Sequence, residues 1–168
     1  MTKPNNDWYG YPTCFTVGKP AEISDQAFKV GDQFVLAPNS TFNDTTCRQK
    51  SVAPRLTFQA HSAPLDAEFD ADFSNLYVTF HGSWNRAPAT GFKVVQVPFN
   101  KTANGSFAPA AALSSEQGYT DIFWNADVTK CSTIQCFRPA GMLQDSFGRF
   151  YITSDASIEG EMFLIGKA

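Results

Sequence analysis

Ala60-His61-Ser62-Ala63-Pro64 and His81-Gly82-Ser83-Trp84-Asn85-Arg86 carry both histidines of the chain and frame the segment from which its architecture can be read. Between them, Leu65 to Asp70 and Leu76-Tyr77-Val78-Thr79-Phe80 flank a turn-forming run at Ala71 to Ser74. That order reads as strand, turn, strand. The polar groups gather at the strand ends, where a rigid sheet presents chemistry from its loops.

Outward from this pair, Phe92-Lys93-Val94-Val95-Gln96-Val97 is expected to form a third strand stopped by Pro98, and Tyr119 to Trp124 a weaker fourth. A second set begins at Phe137: Ala140 to Gln144, a turn at Asp145 to Gly148, Arg149 to Thr153, a turn near Ser157 to Gly160, then Glu161 to Ile165. Four antiparallel strands with short turns match a propeller blade, and a β-sandwich edge gives the same pattern. Residues 1–57 lack periodicity, apart from a short strand within Phe28 to Leu36 around a turn at Gly31-Asp32, and Asn39 to Thr46 reads as polar loop. Ala108 to Gln117 is the best helix candidate, and Pro109 keeps it short.

At 168 residues, with 43% hydrophobic and 14% aromatic residues, the chain suits one domain (1–168) with a packed core rather than disorder. Sixteen Phe, ten Pro and eleven Gly favour short strands with many turns. A net charge of −3 offers no basic stripe, so nucleic acid is not an expected partner. No apolar run approaches the ~18 residues of a membrane span. Met1-Thr2-Lys3-Pro4 leads into polar residues rather than a signal peptide.

Other features read as extracellular. Asn39, Asn43, Asn100 and Asn104 each begin an Asn-x-Ser/Thr acceptor pattern for glycosylation. Four cysteines are compatible with two disulfides: Cys131 and Cys136 can close a short loop, leaving Cys14 and Cys47 to staple the N-terminal segment. Free thiols rank behind that reading, and a zinc site behind both, because there is no Cys-x-x-Cys. For a secreted protein that opens without an export signal, the natural N-terminus is expected upstream of Met1.

The motifs LTFQAHSAPLDAEF, LYVTFHGSWNR, GFKVVQVPF and CFRPAGMLQDSFGRFYITSD, in that order, resemble the C-terminal part of the soluble quinoprotein glucose/sorbosone and fungal pyranose dehydrogenases, which use pyrroloquinoline quinone (PQQ). DWYGYPTCF resembles the family's Tyr-Gly-Trp-Pro signature, with Tyr11 where Trp is usual. The resemblance covers nearly the whole chain. It implies an all-β fold, a partial β-propeller of two to three four-stranded blades with a loop-rich N-terminal segment. Residues 58–125 would form one blade and 137–168 an incomplete last one.

The resemblance also implies a site. A planar, tricarboxylated quinone needs cations for its carboxylates, amide donors for its carbonyl oxygens and a flat wall. Arg86 can pair a carboxylate bidentately, Asn85 can donate to an oxygen and Trp84 can stack. His61 and His81 offer imidazoles near the same loops. Arg138, entering the second set of strands, corresponds to an arginine that holds the cofactor's carboxylates, with Cys131 and Cys136 bracing the loop ahead of it. The expected cofactor-binding set is therefore His61, His81, Trp84, Asn85, Arg86 and Arg138. Calcium is expected beside PQQ, without assignable ligands: Asp66, Asp70 and Asp72 form no Asp-x-Asp-x-Asp-Gly loop.

The reaction implied is oxidation of a sugar at C1, with an external acceptor or cytochrome taking the electrons. The family's catalytic histidine lies in an earlier half of the propeller. This implies that the catalytic-base half is missing and that the chain is incomplete alone. The competing readings are a non-catalytic carbohydrate-binding or structural propeller fragment and an unrelated secreted hydrolase, for which no acid pair is nominated.

Overall fold

A computed structural model of the chain describes residues 7–23, 27–132, 134–156 and 160–166. The chain folds as two units, Met1–Phe58 with Ala111–Gly118, and Gln59–Ala110 with Tyr119–Ala168.

In the first unit, β1 (Cys14–Thr16) and β2 (Gln33–Val35) pair antiparallel, and Phe15, Phe28 and Phe34 stack around them. Helix α1 (Asp44–Lys50) starts inside the segment expected to be polar loop. Asn43 caps it: its side chain accepts the Thr46 N–H while the Thr46 hydroxyl accepts the Asn43 N–H. Arg48 and Lys50 face the negative end of the helix. Only Cys47 of the helix is buried, so it has no apolar stripe; it is held by the Cys14–Cys47 disulfide and by Asp44, which accepts the Val35 N–H at 3.0 Å. The Ala108 to Gln117 helix does not form; the segment completes a strand and then turns.

In the second unit, β3 (Pro64–Phe69), β4 (Asn75–Phe80), β5 (Lys93–Lys101), β6 (Phe107–Pro109) and β7 (Thr120–Trp124) make one five-stranded antiparallel sheet. Pro98 does not stop β5. The strand pairs with β7 as far as Gln96 and with β6 from Phe99, so the missing N–H of Pro98 falls between two partners. Strands β8 (Pro139–Gln144), β9 (Phe150–Ser154) and β10 (Glu161–Ile165) form a three-stranded sheet in the order β10-β9-β8. The Cys131–Cys136 disulfide closes the loop before β8. The turn expected near Ser157 to Gly160 lies largely outside the described residues.

Among the described residues the fold is all-β apart from α1 and two short 3-10 turns, but the expected partial propeller is not what forms. Its sheets have two, five and three strands rather than four each, and among the described residues none closes on itself. The physical reason is β5: it is long enough to carry β7 and β6 in succession, so the first set of strands extends past a four-stranded unit.

The two sheets of this unit share a core of Tyr77, Val94, Phe137, Phe150 and Ile152, with Phe123, Met142, Phe163 and Ile165 packed against it. Their edges are joined by polar groups. Asp66 accepts the Met142 N–H at 2.8 Å, Glu68 accepts the Gln144 N–H at 2.9 Å, and the Thr79 hydroxyl donates to the Ala140 carbonyl at 3.0 Å. Two carboxylates spaced by two on β3 thereby cover alternate N–H groups of edge strand β8, which would otherwise stand open for pairing.

Candidate functional site

Three strand ends converge in the second unit. His81 follows β4, Arg138 precedes β8 and Asp155 follows β9. The β8–β9 register sets Pro139 opposite Ser154, which puts Arg138 and Asp155 side by side. The Arg138 N–H donates to the Ser154 hydroxyl at 3.0 Å, and the Asp155 N–H to the Arg138 carbonyl at 3.3 Å. On the side chains, an Arg138 Nη lies 3.0 Å from His81 Nδ1, Arg138 Nε 3.4 Å from Asp155 Oδ1, and His81 Nε2 2.8 Å from the same oxygen. The guanidinium also donates to the Ser132 carbonyl at 3.5 Å, inside the Cys131–Cys136 loop, and sits 5.4 Å above the Phe92 ring. Its side chain is 7% exposed, whereas that of Asp155 is 60% exposed.

A second pair lies on the adjoining loops, where His61 Nδ1 meets Asn85 Oδ1 at 3.0 Å. Backbone bonds fasten these loops together: the His81 N–H donates to Ala63 and the Gly82 N–H to Ser62, each at 3.0 Å. The chain bends sharply to achieve this. His61, Ala63 and Phe92 take left-handed backbone conformations, as do Gly82 and Gly91. Non-glycine residues adopt this conformation at a cost, and it concentrates at functional loops. A Cβ on Gly82 would stand 2.5 Å from the Phe92 ring, so glycine is required there. Trp84 is 79% exposed, Asn85 is exposed and Arg86 half-buried.

Of the six residues expected from sequence, the structure thus joins His81 to Arg138 and His61 to Asn85 by hydrogen bonds, with Trp84 and Arg86 on the loop that carries Asn85. Asp155 and Phe92 escaped the sequence reading. Asp155 closes the FYITSD stretch as His81 follows LYVTF, and position immediately past a strand was the signal available for it.

Burial raises the Asp155 carboxyl, but the hydrogen bond from His81 and the Arg138 guanidinium outweigh it and hold the group below the ordinary 3.8. The site therefore stacks a sunken cation beneath an exposed carboxylate, and the loop after His81 carries an exposed indole, Trp84. Such a set can orient a flat anion by guanidinium, amide and ring contacts.

The acidic residues considered for calcium serve the fold instead. Asp66 accepts backbone N–H groups from Ala67 and Met142, and Asp70 accepts from Ser74 and Asn75 within the β3–β4 turn. Among the described residues no three His, Cys, Asp or Glu side chains gather as a metal site. The donor set does not fit a calcium cage. No helix among these residues is long and apolar enough to cross a membrane.

Comparison with known proteins places the chain in a family. The model of the TrAA12-like family matches residues 1–168. A pyrroloquinoline quinone-dependent pyranose dehydrogenase of Coprinopsis cinerea is 38% identical over 99% of this chain, and a pyrroloquinoline quinone-dependent sugar dehydrogenase of Hypocrea jecorina is 37% identical over 95%. The chain spans 23% and 34% of the lengths of these two proteins. Among solved structures, the holo form of the Coprinopsis cinerea pyranose dehydrogenase PQQ domain superposes with a TM-score of 0.88 at 37% identity, over 98% of this chain and 41% of that one. The calcium structure of the Trichoderma reesei family AA12 enzyme gives 0.84 at 36% identity, over 95% of this chain and 38% of that one. Matches along 95–99% of this chain replace the expectation of a missing catalytic-base half with membership of one family along nearly the chain's whole length. The chain belongs to the TrAA12-like family, that of the pyrroloquinoline quinone-dependent pyranose and sugar dehydrogenases.

Proposed function

We propose that this chain takes part in oxidation of a pyranose sugar at C1 by a secreted PQQ-dependent dehydrogenase, and that the His81–Arg138 cluster with the Trp84–Arg86 loop holds the quinone. The observation that carries the reading is the buried Arg138 guanidinium, braced by His81 and Asp155, with an exposed Trp84 on the loop that follows His81. When bound, PQQ supplies the two-electron redox step, which no protein side chain provides. The residues here bind and orient: Arg138 and Arg86 for the carboxylates, Asn85 for the ring oxygens with His61 bracing its amide, Trp84 for the ring face. The electrons pass to an external acceptor or cytochrome. Calcium is given no ligands, because the carboxylates considered for it, Asp66, Asp70 and Asp72, each accept a backbone N–H. Two disulfides, Cys14–Cys47 and Cys131–Cys136, support an oxidising, extracellular setting.

Titration of the chain with PQQ, followed by tryptophan fluorescence, tests this reading. A saturable quench, with the bound quinone's absorbance changing when a pyranose is added, is the expected result. Saturable binding of sugar with none of PQQ would refute the reading and leave a carbohydrate-binding module.

A further inference from the structure

We infer that Asp155 is a positioning residue, which fixes His81 as the Nε2–H tautomer and through it sets the Arg138 guanidinium. A guanidinium has N–H donors and no acceptor, so the 3.0 Å contact between Arg138 and His81 Nδ1 requires a lone pair on Nδ1. The ring proton then resides on Nε2, and the carboxylate of Asp155 accepts it at 2.8 Å. Asp155 Oδ1 also takes Arg138 Nε at 3.4 Å, so one oxygen orders both neighbours. The Asp155 N–H to Arg138 carbonyl bond and the Ser154 hydroxyl under the Arg138 N–H hold the two backbones in register for this.

His81 consequently has both ring nitrogens engaged and serves as a neutral strut for Arg138 rather than a proton acceptor. His61 is set the other way. Asn85 Oδ1 only accepts, so His61 Nδ1 carries its proton. The two histidines of the chain are therefore opposite tautomers, each fixed by the partner of one nitrogen. The meaning of the strut for cofactor binding rests on the function proposed above. The tautomers themselves are read with no cofactor present, so either can fail without the other.

The test is nitrogen-15 NMR of the imidazoles in the full chain, where two histidines make assignment direct, with His61→Gln identifying His81. The wild type is expected to show a pyrrole-type Nε2 and a pyridine-type Nδ1 for His81, and the reverse for His61. Asp155→Asn retains an acceptor oxygen and should keep the His81 pattern. Asp155→Ala should convert it to a tautomer mixture with averaged shifts. A wild-type His81 bearing its proton on Nδ1 or on both nitrogens would overturn the inference. So would loss of the wild-type pattern in the folded Asp155→Asn variant, or an Asp155→Ala spectrum identical to wild type. If Asp155→Ala fails to fold, the wild-type and Asn spectra still decide the matter.

Discussion

The carboxylate of Asp66 accepts the backbone N–H of Met142 at 2.8 Å, across 76 residues of sequence. Glu68 repeats the contact with Gln144 one pleat further on. Hydrogen bonds to charged acceptors contribute about 1.5–3 kcal/mol where partly buried. Asp66→Ala and Glu68→Ala should each lower the unfolding free energy measured in urea by an amount in that range. A control at Asp72, whose carboxylate serves only its own exposed turn by accepting the Ser74 N–H, should change it little.

The left-handed glycines are not equivalent. Gly82→Ala would place a methyl 2.5 Å from the Phe92 ring beneath Arg138, adding a clash to backbone strain. Gly105 has a similarly positive φ but nothing within 4 Å, so Gly105→Ala carries only the strain of a left-handed residue, about 1–2 kcal/mol. Thermal unfolding should rank Gly82→Ala well below Gly105→Ala. The imidazole NMR signals of His81 should shift in the first variant alone.

The two disulfides close loops of different length, 33 and 5 residues. Loop entropy assigns about 3.7 kcal/mol to Cys14–Cys47 and about 2 kcal/mol to Cys131–Cys136. Paired Cys→Ser variants should follow that order in stability. Only the Cys131/Cys136 pair should disturb Arg138, which donates to the Ser132 carbonyl within that loop.

Stability should fall in acid, with a defined sign. Asp70 is raised by burial but lowered further by hydrogen bonds from Asn75 and Ser74. Asp155 is likewise raised by burial and lowered further by His81 and Arg138. Both carboxyls therefore lie below the ordinary 3.8. A depressed carboxyl stabilises the fold above its unfolded value, and that contribution is lost as the pH falls through the folded one. The melting temperature should hold from about pH 6 to about pH 4 and drop below it, more shallowly in Asp70→Asn.

Much of the second unit could be read in the sequence. Leu76 to Phe80 and Glu161 to Ile165 announce strands by residue type, and the Asp145 to Gly148 turn separates β8 from β9 by its Asp and Gly. The cysteine pairing was also legible, from loop length alone. What escaped had local signals too weak or too ambiguous. The capping box at Asn43 and Thr46 was present, but α1 buries one side chain and so shows no helical period. Pro98 looked like a stop because the change of partner along β5 is a tertiary fact. The five-stranded count follows from that same change. Asp155 joins His81 across 74 residues, a contact that pattern within any short window does not reveal.

The central claim is that Arg138 grips the anionic cofactor, and the dissociation constant for PQQ in wild type and Arg138→Ala tests it most directly. Loss of a charge-assisted hydrogen bond, about 1.5–3 kcal/mol, predicts roughly ten- to a hundredfold weaker binding in the variant. Equal affinities in the two folded proteins would contradict the account.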